Sequence, residues 1–352
     1  MEIRFKMQNQ SLKVLYICRK WFKGWTRKSI LKYYGAWRKR KEFVEQDGFF
    51  ETALFSSCEV DSKPIEWVLN NKDFINSHYD IVVVNSKFHK GGIRLKHFEW
   101  IDPLKIPAVL FCGNDKAHKL PSDEILGKFD LVYKRELLHG INSYDISDKN
   151  HQKLRTTMLS CPIVCTKKTD PIQHGDIPEP RKTTDSYKYD IFFSGAIRTN
   201  KNRKLIVERL GQESFVFYGG LQHHKQKTSK YKQRRLKLDE YKSAIKSSRI
   251  NLALDGWGQF TFRHLEIWCL GSFCLSTPSI RDVTLPFANP QEGIHYVAFD
   301  DMDDIVDKIK HYLTHDEERE TIAKAGRAFF EQIYDPIRHG KEIKKELQLL
   351  IK

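Results

Sequence analysis

Residues 250–278 read INLALDGWGQFTFRHLEIWCLGSFCLSTP, and this stretch decides the fold. INLAL, apolar but for Asn251, has strand length and stops at Asp255-Gly256. Gly258 loosens the turn, a short helix opens near Phe262, and Gly271 ends it before a second apolar strand, SFCLSTP. Strand, turn, helix and strand follow one another in that order. The strands are mostly apolar rather than alternating, which predicts a parallel sheet covered on both faces.

The rhythm extends in both directions. Upstream, YDIFFSGAI reads as a strand, NRKLIVERLG as a helix stopped by Gly211, FVFYGG as a strand, and DEYKSAIK as the helix before the quoted stretch. Downstream, GIHYVAFDD is another strand. From Met302 the pattern is helical, with Ile305, Ile309 and Leu313 on one face and then Ile322, Ala325, Phe329 and Ile333 on the next. The N-terminal half repeats the theme in LKVLYIC (12–18), EFVEQDGFFETALFSSC with helical spacing, SHYDIVVVN (77–85), IPAVLFCGND (106–115) and FDLVYKREL (129–137). Between the halves, residues 166–187 (TKKTDPIQHGDIPEPRKTTDSY) lose the apolar pattern. The expected organisation is an α/β chain with a domain over 1–165, a linker over 166–187, a second domain over 188–335 and a terminal helix over 336–352.

A length of 352 residues fits two such domains. No run approaches the ~18 consecutive apolar residues of a spanning helix, and MEIRFKMQNQ lacks the apolar core of a signal peptide, so the chain reads as cytoplasmic. Seven cysteines without a CxxC pair or Cys/His ligand spacing predict neither disulfides nor zinc. The net charge of +15 is concentrated in residues 19–41, with ten Lys/Arg and no acid, and 225–237, with seven, which implies a polyanionic neighbour. Residues 19–41 also carry Trp21, Phe22, Trp25, Tyr33, Tyr34 and Trp37. That mixture suits an anionic membrane surface or glycan, or simple packing on the sheet. No RRM, KH or helix-turn-helix pattern supports nucleic acid.

In doubly wound domains, ligands sit beyond the carboxyl ends of the strands, where helix N-termini attract phosphate. Two loops qualify. In FFSGAIRTNKNR (192–203) a strand ends in Ser194-Gly195 and is followed by Arg198, Thr199, Lys201 and Arg203. Small residues there admit a close ligand and bases neutralise it, although a polar loop with solvated bases reads the same way. In the quoted stretch, Gly256 follows the strand, and Arg263 and Glu266 share one helical face. An Arg there can hold a diphosphate and a Glu can accept ribose hydroxyls, or the two can form a surface ion pair. Asp301, Asp303 and Asp304 open an amphipathic helix, where acids suit the N-terminal dipole better than a metal.

FFSGAIRTNKNR, INLALDGWGQFTFRHLEIWCLGS and EGIHYVAFDDMDDIVDKI, in that order, resemble successive motifs of GT-B glycosyltransferases. Arg203 and Arg263 are similar to positions in the KDEL-type protein O-glucosyltransferases and their lipopolysaccharide-modifying relatives. The R-x-x-E of Arg263 and Glu266, with HYLTHDEERETIAKAGRAFFEQ, resembles the CgeB-like glycosyltransferases. The resemblance spans about residues 190–335 and thins out before them. It implies a GT-B fold, two Rossmann-like domains facing a cleft. It implies a nucleotide-sugar donor, usually UDP-linked, bound by the second domain without an obligatory metal or other cofactor. The implied donor residues are Ser194, Gly195, Arg198, Thr199, Arg203, Gly256, Arg263 and Glu266.

The acceptor then belongs to the first domain, and an inverting reaction needs a base there. Asp115 and His118 follow an apolar strand, and Asp115 is similar in position to an Asp of CgeB-like proteins; a turn-forming Asn114-Asp115 beside a surface His is the alternative. Inversion and retention both stay open. The expected activity is sugar transfer to a hydroxyl of a surface glycan, polysaccharide or lipopolysaccharide, at the inner face of a membrane contacted through 19–41. The rival from another class is a non-catalytic GT-B-like protein that holds a polyanion.

Overall fold

The structure, a computed structural model, describes residues 11–17, 47–88, 92–114, 116–139, 144–164, 176–222 and 235–351. The basic aromatic segment 19–41, Asp115 and most of the basic segment 225–237 lie outside them. The chain divides into two compact units. The first takes the described residues of Met1–Ser160 and Asp335–Lys352, and the second those of Cys161–Cys165 and Gly175–Tyr334.

The first unit is built on a six-stranded parallel sheet: β1 (Lys13–Ile17), β2 (Glu59–Lys63), β3 (Ile81–Asn85), β4 (Ala108–Cys112), β5 (Leu131–Lys134) and β6 (Leu154–Thr156). Its spatial order is β2-β1-β3-β4-β5-β6. Val14, Tyr16, Ile81, Val83, Val109 and Phe111 bury one face of it against Phe50, Ala53 and Leu54 of α1 (Gly48–Ser57). Leu15, Ile17, Val82, Val84 and Leu110 bury the other. Two buried faces explain the unbroken apolar runs, because successive strand residues point to opposite sides.

The second unit is built on a five-stranded parallel sheet: β7 (Tyr189–Ala196), β8 (Phe217–Gln222), β9 (Ser248–Ala253), β10 (Cys274–Ser276) and β11 (Val297–Ala298), in the order β11-β10-β9-β7-β8. Its connecting helices are α2 (Asn202–Leu210), α3 (Leu238–Lys246), α4 (Phe262–Cys269), α5 (Met302–Thr314) and α6 (Asp316–Ile333). Ile305 and Ile309 of α5 and Ile322 of α6 join Ile191, Phe193, Ile250 and Leu252 in one core. The Asp301 carboxylate accepts the backbone N–H groups of Asp303 and Asp304, both at 2.9 Å, and so caps α5.

Two boundaries differ from those expected. Residues 176–187 belong to the second unit rather than to a free linker. Arg181 donates to Glu320 of α6 at 2.9 Å, its backbone N–H donates to the Leu270 carbonyl at 2.8 Å, and its guanidinium lies 3.9 Å over the Tyr187 ring. The charged, proline-rich composition that reads as a linker is here ion-paired packing. The last helix, α7 (Pro336–Leu350), belongs to the first unit, where Ile343 and Leu347 enter the α1 core and Glu346 accepts from Arg155 at 3.0 Å.

Candidate functional site

In the second sheet the chain runs from β7 outward to β8, then returns to place β9 on the other side of β7. The order reverses between β7 and β9, and ligands of doubly wound sheets bind in the crevice at that reversal, beyond the carboxyl ends. Both candidate loops open there. Their residues knit the two strand ends together.

Arg203, on α2, is buried and makes four hydrogen bonds inside the protein. Nε donates to the Asp255 carbonyl at 2.7 Å and Nη2 to that of Leu254 at 2.8 Å; Nη1 donates to the Ala196 carbonyl at 3.0 Å and to Thr199 Oγ1 at 2.7 Å. Thr199 Oγ1 in turn donates to the Ala196 carbonyl at 2.9 Å. Arg203 is therefore a clamp between the ends of β7 and β9. The two glycines serve that clamp: a Cβ at Gly195 would stand 3.2 Å from Nη1, and one at Gly256 3.3 Å from Nη2.

Arg263 crosses the same crevice from α4. Its Nε donates to the Ser194 carbonyl at 2.9 Å, Nη2 donates to that oxygen as well, and Nη1 donates to Glu266 Oε2 at 2.5 Å. Glu266 Oε2 also accepts the Tyr241 hydroxyl at 2.7 Å, and the Arg263 guanidinium lies 4.7 Å over the Tyr241 ring. The Arg263–Glu266 pair is thus not a surface ion pair, because the Glu266 side chain is 4% exposed and that of Arg263 21%. Burial, and then the nearby charge of Arg263, pull the Arg203 guanidinium down to about 10. The two guanidinium groups repel each other across the strand-end crevice.

Further groups frame this crevice. Burial raises the Asp255 carboxyl above its ordinary range, against hydrogen bonds from Ser279 Oγ at 2.6 Å and Thr277 Oγ1 at 2.5 Å. His264 is fully buried and pulled down to about 3 by that burial. Its Nδ1 accepts the Thr261 N–H at 3.1 Å, which leaves Nε2 to donate to Ser276 Oγ at 2.8 Å. Ser194 is buried with its hydroxyl accepting from Gln222 at 2.9 Å, whereas Arg198 is exposed in the turn after β7. The structure therefore brings Ser194, Gly195, Thr199, Arg203, Gly256, Arg263 and Glu266 together, with Arg198 on the adjoining surface.

Sequence reasoning missed Tyr241, Asp255, Thr277 and Ser279 as parts of this site. Tyr241 and Glu266 lie 25 residues apart and meet only through the sheet. In the first unit His118 is exposed on the loop after β4. Its imidazole is held below the ordinary value by desolvation and by Lys116, Lys119 and Lys134.

Residues 198–344 match a family model described as glycosyl transferase-like. No curated protein sequence matches the chain. Among solved structures, the chain is similar to Anabaena HepE in complex with UDP and glucose, with TM-score 0.52, 11% identity, and 96% and 100% of the two chains covered. It is similar to the sucrose-phosphate synthase of Thermosynechococcus elongatus, with TM-score 0.52, 8% identity, and 96% and 99% covered. It is also similar to a glycosyltransferase from Rickettsia africae, with TM-score 0.51, 10% identity, and 98% and 100% covered. The fold is that of GT-B glycosyltransferases, two Rossmann-like domains each with a parallel sheet.

Proposed function

We propose that the protein is a glycosyltransferase whose second unit binds a UDP-linked sugar at the reversal between β7 and β9. The observation that carries this reading is the crossing of that crevice by two arginines, Arg203 and Arg263, from helices on either side of it. Arg203 fixes the loops, and Arg263, the more accessible of the two, supplies charge to the diphosphate. Both hydrogen bonds received by Glu266 fall on Oε2, and Oε1 is the oxygen assigned to a ribose hydroxyl. The glycosyl transferase-like match covers Arg203, Arg263 and Glu266, and Anabaena HepE, similar in fold, was crystallised with UDP and with UDP-glucose.

The proposed reaction is displacement of the nucleoside diphosphate by a hydroxyl of a glycan, polysaccharide or lipopolysaccharide, with the diphosphate charge neutralised by arginine rather than by an obligatory metal. The resemblance to the CgeB-like and KDEL-type groups supports such an acceptor. The basic aromatic segment 19–41 supports an anionic membrane surface, at the cytoplasmic face, as the place of action.

Calorimetric titration with UDP, GDP, CMP and UMP, with and without EDTA, tests the reading. Saturable UDP binding that survives EDTA and weakens about ten- to a hundredfold in Arg263→Ala is expected. A metal requirement would overturn the arginine-only diphosphate site. No nucleotide binding would overturn the donor site and favour the polyanion-holding alternative.

A further inference from the structure

The last helix, α7, turns opposite faces to the core and to solvent. Its inner face carries Ile343 and Leu347 into the α1 core. Gly340 makes the crossing close, since a Cβ there would fall 2.1 Å from the Ala53 carbonyl oxygen. With the inner face held so closely, the outer face has one orientation. Arg338, Lys341, Lys345 and Leu349 follow one another on it at spacings of three and four residues, and all four are exposed.

The acids of this segment leave most of that charge standing. Asp335 caps the helix by accepting the Arg338 backbone N–H at 2.9 Å, and Glu346 accepts from Arg155 Nε at 3.0 Å and from the Tyr133 hydroxyl. Glu342 shares the outer face, with its carboxylate 4.0 Å from His339 Nδ1. Among the described residues, Lys341 and Lys345 have no hydrogen-bond or ion-pair partner. Leu349 is 66% exposed, more than any other large apolar side chain of the described residues, and Ile351, just past the helix, is 46% exposed. A face that only meets water needs no such aliphatic neighbours. Cations beside exposed aliphatic side chains match the boundary of an anionic bilayer, where headgroup phosphates meet the bases and the acyl region takes the apolar groups.

We propose that the outer face of α7 is a docking surface for an anionic lipid bilayer, with Arg338, Lys341 and Lys345 on the headgroups and Leu349 and Ile351 in the layer beneath them. The surface shares no residue with segment 19–41 or with the donor crevice. Its use in catalysis rests on the transferase reading, in which it holds the first unit against a membrane that carries the acceptor.

Sedimentation of the full chain with vesicles tests it, using phosphatidylglycerol mixed with phosphatidylcholine in one set and phosphatidylcholine alone in the other, beside UDP titration of the same samples. Binding to the anionic vesicles is expected. The double variant Lys341→Gln, Lys345→Gln should bind them roughly thirtyfold more weakly, at about fivefold per charge. Leu349→Ser should bind about tenfold more weakly through the lost apolar contact. Melting temperature and UDP affinity should be kept in both, because the altered side chains are exposed. Absence of wild-type binding to anionic vesicles overturns the proposal, as does equal binding by wild type and both variants. A loss in the lysine variant with Leu349→Ser unchanged also overturns it, since any polyanion, nucleic acid included, would give that result. Vesicle binding that follows the variants while UDP binding is absent keeps this surface and strikes the donor reading alone.

Discussion

Arg263 and Glu266 stand one helical turn apart on α4 and meet at 2.5 Å, while the same guanidinium reaches across to the Ser194 carbonyl at 2.9 Å. The pair ties the helix after β9 to the end of β7. A diphosphate bound there would find its charge partner already oriented. Arg263→Ala should lower UDP affinity roughly ten- to a hundredfold, since a hydrogen bond to a charged group contributes about 1.5–3 kcal/mol. Arg263→Lys should recover only part of this, because one ammonium cannot make the parallel contacts of a guanidinium. Calorimetry decides, and unchanged affinity in Arg263→Ala would remove the residue from the site.

Arg203 has a different failure. Its four hydrogen bonds all end on protein oxygens, and Arg203→Met would leave the Leu254, Asp255 and Ala196 carbonyls without this donor. Thermal unfolding should show a loss of about 3 kcal/mol, as expected when buried acceptors are stranded. UDP affinity should fall as a consequence of loosened loops. A variant as stable as wild type but unable to bind UDP would reverse the assignment and make Arg203 a direct ligand.

The sequence disclosed the βα rhythm because the central strands are buried on both faces and so are largely apolar. In the first sheet the edge strands escaped for the opposite reason. EVDSK, which forms β2, pairs among the described residues only with β1 and is mostly polar, so nothing in its pattern separates it from a loop. Ser194, Arg263 and Glu266 were legible because spacing on one strand end or one helix face is a local property. The carbonyl partners of Arg203 were not, since main-chain acceptors have no residue signature. Asp47 reads as an interior position of a helix in EFVEQDGFF. Only the course of the folded chain, with α1 beginning at Gly48, turns its carboxylate towards Asn85 and Lys87.

Gly219 supports the site from β8. Its φ is +108°, and a Cβ there would fall 1.9 Å from the Phe193 carbonyl oxygen on β7. Gly219→Ala combines backbone strain with a clash against main chain that cannot move aside. It should destabilise the protein by about 3 kcal/mol, near the upper end for a strained residue. Chemical denaturation measures this, and a change below about 1 kcal/mol would mean that the β7–β8 pairing yields more easily than its geometry implies.

His264 gives the second unit a dependence on acid. Its folded value is depressed to about 3 from an ordinary 6.5 because the imidazole is buried between the Thr261 N–H and Ser276 Oγ. Below 6.5 the unfolded chain takes up a proton that the folded chain refuses. The contribution of neutral His264 is thus present above the unfolded value and is lost as pH falls through the folded one. Within that window the loss should run at about 1.4 kcal/mol per pH unit. His264→Gln cannot titrate, so subtracting its stability profile from that of the wild type should isolate the slope. Unfolding free energies measured by denaturant at a series of pH values provide the comparison. Parallel profiles for the two proteins would show that the imidazole gains its proton without opening the core between α4 and β10.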